Sequence, residues 1–380
     1  MILFSKKLRE KKRWESKRKA LLKEDTFYEK KFDEHNIRYL TAEDVLRKLK
    51  EKNISIPRKD ELNILVIFKH HNWEKFSLIP ALEKFGNVHH FDWSDHIVDI
   101  RKFSQKLKIN ELLVNYFGNL HEMQKIDLIF GYFSGESIEE STLIYFKEKG
   151  VPIINLSLND RELFVGKIRN GKAQGIRDIC KHVSISWTST ESAVKKILVE
   201  GGTPIYMPEG ANPKIHKPYP NEKKVYPVSF VGACYGERAE IIEYLRSKNI
   251  DIHTFGKGWP NGEVALEEMV KIYSKTHVNL GFSGVGKLNG EFCLKGRDFE
   301  VTMSGGLYLT QHNKEIPLFF DTNLPEILTW HAKEDLLLKI NNLLKRPKLC
   351  QDIALRGHKK ALNSHTWESR FDRLVNLLTC

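Results

Sequence analysis

Residues 294–312, with the sequence LKGRDFEVTMSGGLYLTQH, combine side-chain types that can bind a phosphorylated sugar. Lys295 and Arg297 stand just before a predicted helix start, and Glu300 lies in the first turn of that helix. The free N–H groups and the positive dipole end of a helix start favour a phosphate. A carboxylate one turn further cannot hold the phosphate, but it can accept a hydrogen bond from a nearby sugar hydroxyl. The segment therefore predicts a site for a nucleotide sugar.

The same segment predicts how these charged side chains are positioned. Phe299 and Met303 face inward on the predicted helix, and Gly305 and Gly306 end it. Residues 307–310 then alternate like a short buried strand. A helix between a charged loop and a buried strand implies an α/β domain around this site.

Length and composition bound the class of protein. The chain has 380 residues, which fits two domains, and 41% of them are apolar, which excludes global disorder. No stretch of eighteen apolar residues predicts a transmembrane helix, and the first apolar run is too short for a secretory signal. The five cysteines are scattered and show no metal-ligand spacing, so we expect reduced thiols, no bound metal and a cytoplasmic protein.

The positive charge is concentrated at the N-terminus. Residues 1–59 carry nineteen Lys and Arg against ten Asp and Glu, so +9 of the net charge of +12 lies there. Residues 4–32 predict a long charged helix, and Thr41 with Asp44 predicts the capped start of a second helix. One interpretation is docking to an anionic membrane surface, to a partner protein or to a polyanion. The other is a solvated helical extension packed on the main body, and no nucleic-acid motif is present.

Residues 60–218 predict a first Rossmann-like domain. Five apolar runs are typical of buried parallel strands: 62–68, 87–93, 127–133, 151–156 and 182–187. Helical segments separate these runs, which predicts a doubly wound parallel sheet. Ligands of such sheets bind beyond the carboxyl ends of the strands.

Polar residues after these strands are candidates for contact with an acceptor. They are His70, His71, Asn72, Trp73, Ser134, Gly135, Glu136, Asn159, Asp160 and Arg161. The most informative are His70 and His71, because a neutral histidine directly after the first strand can bond a hydroxyl or act as a base. Adjacent residues point in opposite directions, so at most one of the pair faces a site. The alternative is that these residues are ordinary loop polars.

Residues 219–364 predict a second Rossmann-like domain, and the Pro- and Gly-rich segment 201–227 predicts the hinge before it. A strand at 228–232 ends in Gly232, and Arg238 follows near a helix start. The exit loop of the next strand holds Lys257 and Trp259. Residues 283–286 predict a flexible loop, and residues 365–380 predict a final helix that returns to the first domain. The predicted architecture is two Rossmann-like domains that face a cleft.

The pattern of residues 228–378 resembles that of GT-B fold glycosyltransferases. The pieces that carry the resemblance are FVGACYGER, FGKGW, IYSKTHVNLGFS, RDFEVTMSGGLYLT, NLPEI and HTWESRF. It is closest to the CgeB-like (spore maturation protein-like) branch of the family-one glycosyl transferase group. In the first domain only PIYMPEGANPKIHKP resembles the family, as the usual end of the acceptor domain, and residues 1–60 show no resemblance.

The resemblance implies roles for individual residues. Glu300 matches the carboxylate that accepts ribose hydroxyls. Arg238, Lys295 and Arg297 match the basic groups that neutralise the diphosphate and stabilise the leaving group. With Glu326, which matches a later carboxylate, the predicted donor-binding residues are Gly232, Arg238, Lys257, Trp259, Lys295, Arg297, Glu300, Gly305, Gly306 and Glu326. The predicted catalytic residues are His70, His71, Arg238 and Arg297.

Other interpretations of these residues stay open at this point. Arg238 and Glu300 can be ordinary charges at helix starts. Trp259 can be a packing residue rather than a platform for the base. Glu291 stands one position away from the family's earlier glutamate, so no role is assigned to it.

The resemblance implies an enzyme that moves a sugar from a nucleoside diphosphate sugar to a hydroxyl acceptor. The acceptor is a glycan, a lipid-linked molecule or a protein, and a UDP-sugar is favoured over a GDP- or dTDP-sugar. The reaction is expected to need no metal, because the sequence shows no Asp-x-Asp motif and the basic groups can replace the ion, and to retain stereochemistry. One alternative is a nucleotide-sugar epimerase-like enzyme. The other is a non-catalytic binding protein that uses the basic N-terminal helices, at the cytoplasmic membrane face or on a partner.

Overall fold

The chain folds into two units, each with its own parallel sheet and hydrophobic core. The computed structural model describes residues 2–71, 73–97, 99–285 and 288–379, and it describes no side chains for residues 2–11 and 288–291. The N-terminal unit comprises residues 1–208 and 370–380, and the C-terminal unit comprises residues 209–369. The candidate Asn72 lies outside the described residues, and so does the side chain of Glu291.

The N-terminal unit alternates strands with helices. Its elements are α1 Ile2–Glu34, α2 Ala42–Glu51, β1 Leu62–Phe68, α3 Glu74–Leu82, β2 Gly86–Phe91, α4 Phe103–Met123, β3 Leu128–Tyr132, α5 Glu140–Glu148, β4 Ile153–Ser157, α6 Asp160–Leu163, β5 Ile168–Arg169, β6 Lys172–Ala173, β7 Ile185–Thr188, α7 Ala193–Val199 and β8 Pro204–Tyr206. Six of the strands form a parallel sheet in the order β2-β1-β3-β4-β7-β8. The apolar β1 run is buried within this sheet, as its composition predicts.

The predicted N-terminal helices pack on the N-terminal unit. Tyr28 of α1 is buried, donates a hydrogen bond of 2.6 Å to Glu200, and meets the ring of Phe164 edge-on. The start of α2 has the predicted capping box, in which Thr41 accepts from the backbone N–H of Asp44 and the Asp44 carboxylate accepts from the N–H of Thr41. The basic extension is therefore part of the first unit's structure.

The C-terminal unit has the same alternating plan. Its elements are β9 Tyr226–Val231, α8 Arg238–Ser247, β10 Ile252–Phe255, α9 Leu266–Lys275, β11 Thr276–Leu280, β12 Gly284–Val285, β13 Leu288–Phe292, α10 Gly296–Met303, β14 Tyr308–Gln311, β15 Leu328–Trp330, α11 Lys333–Leu344 and α12 Pro347–Ser364. A final helix, α13 Trp367–Leu378, begins in this unit and continues into the N-terminal unit. A five-stranded parallel sheet runs in the order β10-β9-β11-β14-β15. Two separate Rossmann-like sheets confirm the predicted fold class.

The unit boundaries differ from those placed on the sequence. Residues 209–218 belong to the C-terminal unit rather than the first, because Ala211 forms a parallel bridge with Thr366 and is fully buried there. The last helix, α13, enters the N-terminal unit from Arg370 onward. There the ring of Phe371 lies 5.0 Å from Phe130, and Leu378 accepts a backbone hydrogen bond from Ile56.

None of the helices in the described part of the chain is both long and apolar enough to cross a membrane.

Candidate donor site in the C-terminal unit

The strand order of the C-terminal sheet reverses between β9 and β11, and several of the predicted site residues lie where these strands end. The chain leaves β9 at Val231 and turns at Gly232, whose N–H donates to Phe255 O at 2.7 Å. Gly232 has a φ of 155°, and a Cβ at this position would lie 3.0 Å from a guanidinium nitrogen of Arg297. Glycine is therefore required for the close approach of Arg297. Ligands of parallel sheets bind at such a switch point.

Arg238 is a buried cation held by aromatic rings. Its guanidinium lies 3.8 Å from the centre of the Tyr235 ring and 5.2 Å from that of Phe230. It donates to Ala233 O and to the Tyr235 hydroxyl, both at 2.8 Å. Burial lowers the pKa of Arg238 to about 10, and the neighbouring charge of Arg297 acts in the same direction.

Two further cations reach the same place from the start of α10. Arg297 lies 5.7 Å from the centre of the Phe230 ring, so that ring contacts two guanidinium groups. Lys295 donates to Gly284 O at 2.6 Å, and its Nζ lies 3.4 Å from the Tyr235 hydroxyl that Arg238 also contacts. The structure thus brings together the three basic groups that the sequence predicted to share one ligand.

No carboxylate in the described structure forms an ion-pair contact with this cation cluster, which consists of Arg238, Lys295 and Arg297, although the charge of Glu300 acts on Arg297 from a greater distance. Among the described residues, none of the three forms an ion pair within 4.0 Å. The Nε atom of Arg297 is buried and has no hydrogen-bond partner among them either. Unpaired charge in a low-dielectric site is costly, and a multiply charged anion offsets that cost. The cluster is therefore suited to a diphosphate.

The backbone at the start of α10 is already occupied, contrary to the prediction that it holds a phosphate. The N–H groups of Leu294 and Lys295 donate to the carboxylates of Glu315 and Asp298, at 3.0 and 2.7 Å. The N–H of Gly296 donates to the carboxylate of Glu209. Three successive amides thus bind the protein's own acids, and the anion-binding capacity of this segment lies in its side chains.

A pair of carboxylates adjoins the helix start. A Cβ placed on Gly296 would lie 3.2 Å from Glu300 Oε1 and 3.6 Å from Glu209 Oε2, so both acids approach this glycine. Burial and, to a smaller extent, the charge of Glu300 together raise the pKa of Glu209 to about 7. Glu300 keeps 22% of its side chain exposed, which leaves it accessible to a sugar hydroxyl.

His216 lies behind Glu300. Its Nδ1 accepts from the N–H of Asn212 at 3.3 Å, so its Nε2 carries the proton in the neutral ring. That Nε2 is buried without a hydrogen-bond partner among the described residues, and it lies 3.9 Å from Glu300 Oε1. The imidazole is therefore placed to orient the Glu300 carboxylate. Sequence reasoning missed both His216 and Glu209, although both lie in the segment PEGANPKIH, which we interpret from the sequence as a linker and as the end of the acceptor domain.

Trp259 and Lys257 lie beside the turn at Gly232. The Trp259 indole is buried and donates to Gly232 O at 2.7 Å, so it braces the turn as a packing residue, as one interpretation of the sequence allowed. The backbone carbonyl of Lys257 accepts from the N–H of Cys234 at 2.8 Å, while its side chain is exposed.

Three other predicted donor-binding residues lie away from the cation cluster. Gly305 and Gly306 follow the C-terminal end of α10, where their N–H groups cap the carbonyls of Thr302 and Val301. The Glu326 carboxylate accepts from the N–H of Asp321 at 2.8 Å and closes a turn before β15. The contacts of all three residues stabilise the fold, and they do not bring these residues to the cations.

The two predicted histidines lie at the end of β1, at the switch point between β1 and β3 of the N-terminal sheet. Backbone N–H groups of His70 and His71 donate to the carboxylates of Asp92 and Glu74, both at 2.9 Å. The Nδ1 of His70 accepts from the N–H of Lys75 at 3.4 Å, which orients that ring, and it also lies 3.4 Å from Glu74 Oε2. His70 is thus the better positioned of the pair.

Other predicted acceptor-contact residues are engaged in the N-terminal fold. Asp160 is fully buried between Ser157 and Thr188, and burial raises its pKa to about 6. Arg161 is paired with Asp25 of α1 at 3.0 Å. The side chains of Asp160 and Arg161 therefore make contacts that stabilise the N-terminal unit.

The fold has solved counterparts. The sequence of residues 238–376 matches the family model described as glycosyl transferase-like. Sucrose-phosphate synthase from Thermosynechococcus elongatus superposes with a TM-score of 0.60 at 12% identity, covering 83% of this chain and 99% of that one. The chain has the GT-B fold. HepE of Anabaena, solved with UDP and glucose, superposes with a TM-score of 0.56 at 10% identity, and the superposition covers 83% of this chain and 99% of HepE.

A glycosyltransferase from Rickettsia africae is also similar, with a TM-score of 0.53 at 10% identity, covering 84% of this chain and 96% of that one. A comparison with curated proteins finds no match to the sequence. The region that matches the glycosyl transferase-like family model, residues 238–376, contains Arg238, Lys295, Arg297 and Glu300. This match and the GT-B neighbours support the predicted enzyme class, a glycosyltransferase. The CgeB-like branch stays a prediction.

Proposed function

We propose that this protein transfers a sugar from a nucleoside diphosphate sugar to a hydroxyl acceptor. The observation that carries the proposal is the cation cluster: three basic side chains without an ion-pair partner in the described structure, at the switch point of the C-terminal sheet. A diphosphate supplies the missing negative charge, and the glycosyl transferase-like match covers these residues.

In this proposal the cluster performs the electrostatic part of the reaction. Arg238, Lys295 and Arg297 bind the diphosphate and stabilise the charge that develops as the glycosidic bond breaks. Fixed cations in a partly buried site can do this without a divalent ion, so we propose a metal-independent reaction. We also propose retention of stereochemistry, in which the leaving phosphate takes the acceptor proton and no dedicated base is required.

Glu300 is proposed to accept hydrogen bonds from the ribose hydroxyls. The carboxylate is exposed enough to be reached, and it borders the cluster that would hold the adjoining diphosphate. His216 and Glu209 are positioning residues in this arrangement, because they contact Glu300 and its surroundings rather than the substrate. Hydrogen bonds to a charged acceptor contribute about 1.5–3 kcal/mol, so loss of the Glu300 carboxylate should weaken nucleotide binding by roughly ten- to a hundredfold.

UDP is the proposed nucleotide, since HepE was solved with UDP and glucose and TarM of S. aureus with UDP. The acceptor is proposed to be a glycan, a lipid-linked molecule or a protein hydroxyl bound by the N-terminal unit. His70 is the candidate residue for contact with it, because the N–H of Lys75 orients its ring at the switch point of that sheet.

Calorimetric titration with UDP, GDP and dTDP tests the site. We expect UDP to bind best, and we expect Arg297→Met and Arg238→Met each to weaken UDP binding by at least about tenfold. Arg246→Met is the matched control, because Arg246 lies at the other end of α8 and pairs with Glu243 at 2.7 Å. Unchanged UDP affinity in both cluster variants would show that the diphosphate does not bind there.

A second measurement separates nucleotide binding from transfer. Radiolabelled UDP-sugars are incubated with the protein, and release of UDP is followed with and without glycan acceptors and with EDTA. Acceptor-dependent release that EDTA leaves unchanged is the expected result. Tight UDP binding without any release would support the binding site but reject the enzyme.

A further inference from the structure

Helix α1 has a buried face, which includes acidic residues, and an exposed face on which basic residues predominate. The acids Glu24 and Asp25 point toward the N-terminal unit, where both pair with Lys196, at 2.6 and 2.8 Å. Trp14, Leu21 and Tyr28, spaced by seven residues, lie on the same face and are buried or half-buried. The inward face is therefore fully used in packing.

The outward face of α1 is cationic. Lys12, Lys19, Lys23 and Lys30 lie opposite the buried stripe at the helical repeat, and all four are exposed. Arg13 and Arg18 flank them and are exposed too, against only Glu15 and Glu29 among the exposed acids of residues 12–30. We call Lys12, Arg13, Arg18, Lys19, Lys23 and Lys30 the α1 basic face. Of these six residues only Lys30 has an ion pair among the described residues, with Glu34 at 3.5 Å.

The basic character continues along the sequence to the start of the helix. Over residues 1–23 there are ten Lys and Arg against two Glu. The helix has 33 residues, which corresponds to a length of about 50 Å. A rigid rod of this length with one cationic side presents an extended, nearly flat positive surface.

We propose that the α1 basic face docks the protein on a membrane surface that contains anionic lipids. Clusters of basic residues are attracted to anionic headgroups, and the attraction grows with the number of cations near the surface. Two exposed apolar side chains on the outer part of α1, Leu22 and Phe27, can contact the acyl boundary between the headgroups. The buried stripe is committed to the protein, so the helix lies on the bilayer surface and does not insert.

The shape of the surface favours lipid over nucleic acid. Proteins that bind single-stranded nucleic acid interleave basic residues with exposed aromatic rings, whereas among the described side chains of α1 only one exposed aromatic ring, Phe27, lies near the α1 basic face. A straight row of lysines opposes a plane of headgroups more fully than a curved duplex. RNA binding is therefore the outcome that the experiment must distinguish.

The test uses the full chain and sedimentation with vesicles of phosphatidylcholine, with and without 30% phosphatidylglycerol. We expect binding only to the anionic vesicles, strong at 50 mM NaCl and lost at 500 mM. The combined change Lys12→Gln, Lys19→Gln, Lys23→Gln and Lys30→Gln should reduce the partition coefficient by roughly a hundredfold or more. These side chains are exposed, so the melting temperature and UDP affinity should not change.

A control variant removes the same charge elsewhere. Lys223→Gln, Lys345→Gln, Lys348→Gln and Lys359→Gln change four exposed lysines of the C-terminal unit, and vesicle binding should persist. No binding of the wild type to anionic vesicles, or equal losses in both variants, would overturn the proposal. So would tighter binding of a 20-nucleotide RNA than of the vesicles at equal ionic strength. Because UDP titration is measured on the same proteins, failure here is separate from failure of the donor site.

Discussion

Glu209 offers a quantitative test of the carboxylate pair beside α10. The substitution is Glu209→Gln, which keeps a side-chain oxygen for the N–H of Gly296 and removes the ionisable group. Burial, together with the charge of Glu300, raises the pKa of Glu209 from 4.5 to about 7. The wild-type protein therefore folds with a proton on this acid at pH values where the unfolded chain has lost it.

The sign and size of the effect follow from this difference. Below pH 4.5 both states hold the proton, so Glu209 has no effect on stability. Stability falls as the pH rises from about 4.5 to about 7, and above that the full penalty applies. The rise from 4.5 to about 7 corresponds to about 3 kcal/mol, and because the side chain of Glu209 is only half-buried we reduce the expected effect to about 2 kcal/mol.

Thermal unfolding at pH 5, 6, 7 and 8 measures the effect. The difference in melting temperature between Glu209→Gln and wild type should increase by roughly 4–8 °C from pH 5 to pH 8, for a unit of about 160 residues. Glu240→Gln is the control, because its side chain is 77% exposed, and its difference should not vary with pH. If the difference for Glu209→Gln is the same at every pH, Glu209 does not hold a proton next to Glu300 in the folded protein.

Three further predictions concern single residues. Gly232→Ala should lower the free energy of unfolding, measured by chemical denaturation, by about 1–3 kcal/mol and weaken UDP binding, since the added Cβ would lie 3.0 Å from a guanidinium nitrogen of Arg297. In the control Gly284→Ala the added Cβ would have no atom within 4 Å, so neither quantity should change. His216→Ala should reduce the ratio of UDP affinity to 2′-deoxy-UDP affinity several-fold, whereas an unchanged ratio would mean that the imidazole does not orient the ribose-binding carboxylate. Phe371→Ala should destabilise the N-terminal unit by about 3–5 kcal/mol, because its ring packs between two buried aromatic rings, and Leu355→Ala, 66% exposed, should stay within about 0.5 kcal/mol. Equal effects of these last two substitutions would contradict the packing argument.

Strands and helices that are marked by a clear local pattern, such as a continuous apolar run, could be predicted from the sequence. The predicted strand Leu62–Phe68 has the same first and last residues as β1, because an almost wholly apolar stretch of seven residues between polar segments is typical of a buried strand. Short edge elements carry no such signal. Strand β8, Pro204–Tyr206, begins with proline in a Gly- and Pro-rich segment, and β12 lies in residues predicted as a flexible loop. These strands form because a neighbouring strand supplies the hydrogen bonds, which the local sequence does not contain.

In the candidate site, too, the features that depend on local sequence could be predicted, and those that depend on distant partners could not. The grouping of Arg238 with Lys295 and Arg297 could be predicted, because each cation follows or adjoins a predicted strand end of one sheet. The acids that occupy the backbone N–H groups at α10 could not, since Glu209 lies 87 positions before Gly296 in the chain. Whether a helix start is free to bind a phosphate depends on such distant partners.

The placement of α13 has a consequence for synthesis of the chain. Residues 370–378 complete the N-terminal unit, where Leu374 and Leu378 are fully buried. At typical elongation rates, roughly 10–30 s pass between translation of residue 208 and residue 370. During that interval the nascent first unit exposes the apolar groove that α13 later fills, while the continuous second unit, residues 209–369, can fold ahead of it. The unit that is made first is thus the one that is finished last, and its open groove is the surface on which a ribosome-associated chaperone would act.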